Sequence, residues 1–168
     1  GIDKEPKIYY YTVGEQKWKG VNEWPWVDEV TQTFFLSNNN TLTTTSTDVK
    51  EGVLQYKIDT SATTGPSSRW NSVTGLYKTG HTDYPLRNEE SAKLLNFTTP
   101  AFTEDVVMTG HPLAEIYLSA DATDAGLFVY IEDVAPNGDI FYVTEGMLRA
   151  MHREIGCENQ LYSTVGPY

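Results

Sequence analysis

Strand-type patterns dominate the order of apolar and polar positions in this sequence. Residues 8–13 form an aromatic and β-branched run that ends at Gly14, and residues 31–36 form another before an asparagine cluster. Short runs of this kind between turn-forming residues are typical of β-strands. The same reasoning predicts strands over residues 53–58, 94–98 and 106–108. Over residues 113–119 the apolar positions follow a period of two and occupy both faces, which predicts a strand buried on both sides.

The clearest local prediction is a β-hairpin. Residues 126–133 and 140–144 are strand-like runs joined by a connection that contains Asn137-Gly138. Asn and Gly tolerate the positive φ angles that tight hairpin turns require. Residues 146–153 are ambiguous, because their apolar positions fit a helical stripe as well as strand alternation, and their local propensity favours a helix.

A long loop is predicted over residues 60–88, which contain several glycines and prolines and few periodic apolar positions. Loops of this length are often functional. Trp70, beside Arg69, and His81 fall in this loop, where a packing role explains them less readily than elsewhere. They are therefore candidate functional residues.

The composition favours an all-β fold and excludes two classes of partner. The chain has 21 threonines and 11 tyrosines, and such residues are enriched in strands. Its 168 residues fit one domain with a sizeable core. Twelve Lys plus Arg against 23 Asp plus Glu give a net charge of −11, which repels phosphate backbones and anionic membranes. No apolar run approaches the roughly 20 residues of a membrane span, so we expect a soluble protein that binds neither nucleic acid nor membrane.

The termini and the cysteine leave the cellular compartment open. The chain begins with Gly1 rather than Met and its first residues are polar, which predicts an excised piece without a targeting segment. The single cysteine, Cys157, cannot form an internal disulfide, and its neighbour Glu158 disfavours a reactive thiolate. Both a cytoplasmic and an exported location remain compatible with the sequence.

Catalytic and metal-binding patterns are weak. The sequence has no Gly-x-Ser-x-Gly elbow, and its three histidines, His81, His111 and His152, are dispersed. Two acidic groups offer oxygen ligands of the type that calcium prefers: Asp121 with Asp124, and Asp133 with Asn137 and Asp139. Acidic turns without a metal are far commoner, so we expect no metal site and no cofactor.

Aromatic residues offer a possible sugar-binding platform, because ring faces stack on sugar rings. The candidates are Trp18, Trp24, Trp26, Trp70, Tyr77, Tyr84 and residues 9–11. Core packing is the alternative. It is favoured for Trp24-Pro25-Trp26, where the proline restricts the connection between the two indoles.

A series of ordered motifs runs along nearly the whole chain. The first are PKIYYYTVG at residues 6–14, Trp18, Trp24-Pro25 and TFFL at residues 33–36. The others are LLNFTT at 94–99, EDVVMTG at 104–110, AEIYLSADATD at 114–124, VYIEDV at 129–134 and EGMLRA at 145–150. Together they resemble the C-terminal domain of X-Pro dipeptidyl-peptidases and the related cocaine-esterase and glutaryl-7-ACA-acylase-like hydrolases.

The resemblance implies an all-β fold, a jelly-roll β-sandwich of the galactose-binding-domain-like kind over residues 8–168. Residues 1–7 are then the linker from an upstream α/β-hydrolase domain, which holds the Ser-His-Asp triad. No catalytic residue is expected in this chain, which is predicted to be inactive alone. The resemblance also implies a strand over residues 146–153, against their local propensity.

The resemblance further implies that the sandwich is incomplete at its C-terminal end. In the family, strands continue past the segment that resembles Arg153-Glu154, whereas this sequence stops at Tyr168. Unpaired strand edges and uncovered apolar surface favour strand addition or exchange. We therefore expect self-association or a complementing C-terminal fragment, in addition to the upstream hydrolase domain.

The site that the resemblance implies is a wall of the substrate pocket. In relatives, the loop that corresponds to residues 68–87 runs toward the cleft between the jelly roll and the catalytic domain. The expected wall residues are Arg69, Trp70, Leu76, Tyr77, His81, Tyr84 and Arg87. For Arg87, a salt bridge within the domain is an equal alternative.

Two functions are compatible with the sequence. The first is an accessory domain that shapes the substrate pocket and the assembly of a serine hydrolase of the X-Pro dipeptidyl-peptidase, acylase or esterase class. The alternative is a free-standing carbohydrate-binding module, since similar sandwiches occur in lectin-like domains. An accessory domain would expose an apolar patch to its hydrolase, whereas a module would expose one aromatic sugar site.

Overall fold

The regular secondary structure of the described part of the chain is mainly β-strand, with few helical residues. A computed structural model describes residues 1–26, 30–49, 51–65 and 84–154. The strands are β1 (Ile8–Thr12), β2 (Lys17–Val21), β3 (Phe35–Leu36), β4 (Leu42–Thr43), β5 (Gly126–Val134) and β6 (Ile140–Arg149). The helical elements are one short helix, α1 (Asn88–Ser91), and 3-10 turns at Ile2–Lys4, Ser46–Asp48 and Ala150–His152. This content agrees with the all-β prediction, and no helix of the described ranges is long and apolar enough to span a membrane.

The strands pair as three antiparallel two-stranded sheets, β1 with β2, β3 with β4, and β5 with β6. The chain divides into two compact units, one of Gly1–Gln55 with Phe97–Leu113 and one of Tyr56–Asn96 with Ala114–Tyr168. Within the described ranges, no sheet has more than two strands. The jelly-roll sandwich over residues 8–168 therefore stays a prediction.

The β5–β6 hairpin confirms the clearest local prediction and extends it. Gly138 has a φ of 88°, and its amide donates to the Ala135 carbonyl at 2.8 Å, so the Asn-Gly pair closes the turn as expected. A bulge at Ile131/Glu132 interrupts the ladder, which then continues to Arg149. The strand implied over residues 146–153 is confirmed as far as Arg149, beyond which a 3-10 turn begins.

The β1–β2 hairpin places aromatic side chains on both of its faces. Tyr9 and Tyr11 lie opposite Gly20 and Trp18 on one face, and Tyr10 lies on the other. The ring of Tyr10 meets Trp24 edge to face at 5.5 Å, and Trp24 meets His111 in the same way at 6.3 Å. Trp24 therefore packs against these two rings, whereas Trp26, for which packing is also predicted, is 42% exposed. Its peptide bond to Pro25 is cis.

Several predicted strands are not formed. Of residues 31–36, Phe35–Leu36 form a strand, and residues 53–58, 106–108 and 113–119 form none. In residues 94–98 the pairing is one bridge between Thr98 and Thr41. These predictions were wrong because an alternation of apolar and polar residues indicates only which side chains a sheet would bury. A strand also needs a neighbouring strand whose backbone supplies hydrogen-bond partners.

The buried side chains of the described residues are polar, not apolar. They are Ser37, Arg87, Ser91 and Glu145, and no hydrophobic side chain in these ranges is fully buried. Leu113 and Tyr117 are each 93% exposed, so the two-sided burial predicted for residues 113–119 is wrong. The sizeable apolar core predicted from chain length is likewise missing from the described ranges.

Candidate functional site

A buried ion pair lies within the second unit. The Arg87 Nε donates to Glu132 Oε1 at 2.6 Å, and the Ser91 hydroxyl donates to Glu132 Oε2 at 2.8 Å. The side chains of Arg87 and Glu132 are 5% and 13% exposed. Both carboxylate oxygens are therefore bonded, which is the condition under which a charged pair tolerates burial.

Local structure brings these three residues together. Arg87 is the residue before α1, and the Ser91 amide donates to the Arg87 carbonyl at 2.7 Å. One helical turn thus places both side chains on the same side. On the hairpin, Glu132 directly follows the bulge, and a bulge redirects the side chains next to it.

The guanidinium group of Arg87 has two further contacts. Its Cζ lies 4.2 Å from the centroid of the Tyr130 ring, which is a cation–π arrangement. Its Nη1 donates to the Thr64 carbonyl at 3.4 Å, and the hydroxyls of Thr64 and Tyr130 share a hydrogen bond of 2.6 Å. Its Nη2 is buried and has no hydrogen-bond partner among the residues that the structure describes.

Backbone contacts fix the start of α1 against the hairpin turn. The Arg87 amide donates to the Ile140 carbonyl at 2.8 Å, and the Ile140 amide donates to Asn88 Oδ1 at 3.0 Å. The Asn88 side-chain amide also donates to the Gly138 carbonyl at 2.8 Å. Residues about 50 positions apart in the chain are therefore held in one polar network.

A small cleft of about 40 Å³ opens beside this network. Its lining includes Thr64, Tyr84, Arg87, Glu90 and Tyr142. The rings of Tyr84 and Tyr142 stack with their centroids 4.6 Å apart. Because ligand pockets usually enclose roughly 300–1,000 Å³, this cleft is large enough for water but not for a substrate.

The charged groups around the cleft are paired with neighbours. The Lys93 ammonium lies 2.8 Å from Glu90 and, together with the Thr63 amide, lowers the pKa of the Glu90 carboxyl. At the far end of the hairpin, the Arg149 guanidinium donates to Asp124 and lowers the pKa of that carboxyl. Both carboxylates are thus stabilised in their charged forms.

Sequence comparisons place the chain in a family. Residues 1–160 match the family described as X-Pro dipeptidyl-peptidase C-terminal non-catalytic domain. The chain belongs to this family. The resemblance predicted from its ordered motifs is therefore confirmed.

Relatives of this family member are named as esterases. It is 38% identical over 168 residues to "Putative serine esterase" proteins of Mycobacterium bovis and Mycobacterium tuberculosis, covering 100% of this chain and 26% of each relative. It is 27% identical over 163 residues to the cocaine esterase of a Rhodococcus species, covering 89% of this chain and 27% of that protein. The chain thus spans about a quarter of the length of these relatives. No solved structure matches it significantly.

Two of the predicted wall residues of this X-Pro dipeptidyl-peptidase C-terminal domain are described, and they lie together. Tyr84 and Arg87 both line the small cleft. For Arg87, the alternative of a salt bridge within the domain is the arrangement observed. The remaining predicted wall residues lie outside the described ranges: Arg69, Trp70, Leu76, Tyr77 and His81.

The sequence did not indicate the partners of Arg87. Glu132 and Tyr130 lie within a hairpin strand, and Ser91 and Thr64 have no distinctive spacing relative to them. Only the Asn-Glu-Glu start of α1, with acidic residues in its first turn, is a recognisable local signal. The hydrogen bonds of Arg87 to Thr64 and Glu132 span 23 and 45 positions, and the periodicity of a sequence gives no information on contacts over such distances.

Three of the residues considered as calcium ligands, Asp124, Asn137 and Asp139, have other partners. Asp124 binds Arg149 and accepts from the amides of Ala125 and Met151. Asn137 and Asp139 bond to each other within the hairpin turn. In the portion of the chain that the structure describes, no group of three or more His, Cys, Asp or Glu side chains is placed to hold a metal ion.

Proposed function

We propose that this chain is an accessory domain of a serine hydrolase that cleaves peptide, amide or ester bonds. Its family is described as non-catalytic, and relatives about four times as long are named as esterases. In this proposal an upstream α/β-hydrolase domain supplies the nucleophile. The accessory domain then shapes the substrate pocket and contributes to assembly.

The observation that carries the proposal is the exposed apolar surface of the described residues. Leu113 and Tyr117 are almost wholly exposed, and Val106, Val107 and Met108 are more than half exposed. Each of the two units thus exposes large apolar side chains, which supports a contact with another polypeptide. A hydrolase domain of the same polypeptide is the contact that the length of the relatives supports.

We place the substrate wall at residues 68–87, with Tyr84 and Arg87 as its described edge. The stacked Tyr84 and Tyr142 rings give this edge a rigid aromatic surface, because stacking restricts both side chains. The 40 Å³ cleft alone is too small for a substrate, but a more open cleft of about 470 Å³ adjoins it and shares Gly65, Pro85, Leu86 and Glu90. In this proposal the hydrolase domain supplies the second wall of the pocket.

Hydrolysis assays on two proteins test the accessory role. A panel of nitrophenyl esters and X-Pro nitroanilides is offered to this chain alone and to the hydrolase polypeptide that contains it. We expect turnover by the longer protein and none by the chain alone. Turnover by the isolated chain, abolished by a serine-directed inhibitor, would contradict the proposal because it would require a nucleophile within these 168 residues.

A carbohydrate-binding module is the second candidate, and one specific observation supports it. Trp18 is 71% exposed and lies 5.4 Å from the ring of Tyr11, on the same face of the β1–β2 hairpin. Exposed aromatic faces are suited to stacking on sugar rings. Tryptophan fluorescence during titration with a panel of neutral oligosaccharides tests it, with Trp18→Ala as the control. A sugar-dependent change that this variant loses would favour the module.

A further inference from the structure

We propose that Asn137 is a site of spontaneous deamidation, which the folded β5–β6 hairpin suppresses and which, once it has occurred, keeps the hairpin open. This chemistry is independent of the proposed function, because it takes place between neighbouring residues of the chain. Asn137 is the single asparagine in the sequence that a glycine follows. Asparagine is a thermolabile residue, and a following glycine has no side chain to hinder the approach of its main-chain nitrogen. Both Asn137 and Gly138 are exposed to water.

The reaction needs no reagent other than water. After the Gly138 amide loses its proton to solvent, its nitrogen forms a bond to Cγ of Asn137, the Cγ–Nδ2 bond breaks, and ammonia leaves. Water then opens the resulting cyclic imide at one of its two carbonyl carbons. Opening at Cγ gives aspartate, whereas opening at the main-chain carbonyl gives isoaspartate, in which the main chain passes through Cβ and Cγ.

The hairpin turn holds both reacting groups in hydrogen bonds. The Gly138 N–H, from which the nucleophile forms, donates to the Ala135 carbonyl at 2.8 Å. The side chain of Asn137 is held by Asp139 at both polar atoms, since Oδ1 accepts from the Asp139 amide at 3.1 Å and Nδ2 donates to Asp139 Oδ2 at 2.8 Å. The bond to Ala135 must break before the Gly138 nitrogen can lose its proton to solvent. The reaction therefore proceeds from the locally opened turn, which is a minor population of the folded domain.

Either product disrupts the turn. Aspartate at position 137 replaces the Nδ2 donor by an oxygen, so two carboxylates face each other where a hydrogen bond joins Asn137 to Asp139. Isoaspartate lengthens the main chain before Gly138, whose bond to Ala135 depends on the spacing of the tight turn. The Gly138 carbonyl also accepts from the Asn88 side chain at 2.8 Å, so a displaced turn loses this attachment to α1. Neither product reverts to asparagine, so each event is permanent.

Deamidation of the folded and the unfolded chain tests the suppression. The chain is kept at mildly alkaline pH in buffer or in guanidinium chloride, peptide mapping by mass spectrometry follows Asn137, and an isoaspartyl methyltransferase assay identifies isoaspartate. We expect conversion at least about 10-fold faster in guanidinium chloride, because modification follows the population of the open form. Equal rates in the two states would overturn the suppression. Absence of conversion at Asn137 in the unfolded chain would overturn the site itself.

Substitution of Asn88 tests the role of the turn in the folded state. Asn88→Ala removes the bonds to the Gly138 carbonyl and the Ile140 amide and leaves both reacting residues unchanged. It should speed conversion of Asn137 about 3- to 10-fold in buffer, as the loss of two hydrogen bonds predicts, and leave the rate in guanidinium chloride unaltered. Asn39→Ala is the matched control, because it removes an asparagine with a side-chain hydrogen bond from the other compact unit.

A milder variant covers the case in which Asn88→Ala does not fold. Asn88→Ser keeps a hydroxyl at this position and should speed conversion of Asn137 by a smaller factor than the alanine variant. An unaltered rate in a variant whose circular dichroism matches that of the unaltered chain would contradict protection by the turn.

Amide hydrogen exchange tests the effect of the modification on the hairpin. Anion exchange separates the isoaspartate form from the unmodified chain, because deamidation adds a negative charge. We expect exchange in β5 and β6 to become about 10-fold faster in the modified form, since the turn no longer closes the ladder. Exchange in the β1–β2 hairpin should stay the same and serves as the internal control. Equal exchange of β5 and β6 in the two forms would contradict the opening of the hairpin.

Discussion

The β5–β6 hairpin and residues 113–119 have similar alternating apolar patterns but different structures. In the hairpin the two strands pair along nearly their whole length, and the buried network of Arg87 packs against them. In residues 113–119 no strand forms, and Leu113 and Tyr117 are exposed. The two regions differ in whether a pairing strand is available. In the hairpin, β6 begins after a connection of five residues and pairs with β5.

This comparison shows what holds the second unit together. Its described buried residues are Arg87, Ser91 and Glu145. Glu132 of the hairpin accepts hydrogen bonds from the first two, and the guanidinium group of Arg87 also lies over the Tyr130 ring. Polar contacts of this kind are directional, so they select one arrangement of the chain. In residues 113–119 the contact of this kind is local, from the Tyr117 hydroxyl to Glu115 at 2.9 Å, and it joins residues two positions apart.

The strongest test removes the acidic partner of Arg87. Glu132→Ala in this chain should lower the free energy of unfolding by about 3–5 kcal/mol, because it leaves a buried guanidinium without its counter-charge. Urea unfolding followed by circular dichroism measures the change. Asp124→Ala, which removes the exposed pair with Arg149, should have a much smaller effect. Equal losses in the two variants would show that burial does not distinguish the pairs.

A substitution at Gly138 tests whether the geometry of the turn stabilises the hairpin. Gly138→Ala should cost about 1–2 kcal/mol, because a side chain is strained at its φ of 88° even though no atom crowds the site. Gly146→Ala is the matched control, since it also adds a methyl group into open space but lies within β6. Thermal unfolding of both variants gives the comparison, and similar losses at the two glycines would argue against the turn as the cause.

The exposed segment should respond to charge only in the longer protein. Leu113→Lys should change the unfolding free energy of this chain by less than about 0.5 kcal/mol, as expected for an exposed position. Under the proposed function, the same variant in the longer polypeptide should lower the melting temperature, because it would place a charge against the proposed hydrolase domain. Ile131→Lys, at a half-buried hairpin position, should destabilise both proteins. Loss of stability in the chain alone for Leu113→Lys would contradict the exposed surface.

The smallest effect concerns pH. The bonds from Lys93 and Thr63 hold the pKa of Glu90 below its ordinary value of 4.5, so they stabilise the folded state above that pH. As pH falls through the folded pKa, Glu90 is protonated and this contribution is lost. The difference in urea midpoint between the unaltered chain and Glu90→Gln should therefore shrink between pH 6 and pH 3. Lys93→Met should give the same trend, and a pH-independent difference would contradict the assignment.

Sequence reasoning was most successful where the determining interactions are local. The hairpin was predicted from Asn137-Gly138 and its flanking runs, because turn geometry depends on neighbouring residues. β2 was missed because Lys17-Trp18-Lys19-Gly20 lacks a β-branched run, although its partner strand β1 was predicted. The strand predicted over residues 53–58 does not form. These residues are of the types that favour strands, but no neighbouring strand pairs with their backbone.

For the candidate site, too, local sequence features were predictable and long-range contacts were not. The ordered motifs identified the family, and they directed attention to a loop that includes Tyr84 and Arg87. They did not indicate Glu132 as the partner of Arg87, because 45 residues separate the two and 23 acidic residues are available. Pairing over that distance depends on how the folded chain brings α1 to the hairpin.

The bulge in β6 has a consequence for how the domain tolerates changes in length during evolution. Tyr142 and Glu145 are three positions apart, yet they lie opposite Glu132 and Tyr130, which are two positions apart. The alternation of β6 side chains between the two faces of the sheet is therefore interrupted at Val143. Loss of one residue at this point would restore an uninterrupted ladder and leave both flanking faces in register, whereas loss of one residue elsewhere in β6 would invert the side chains up to the next compensating change.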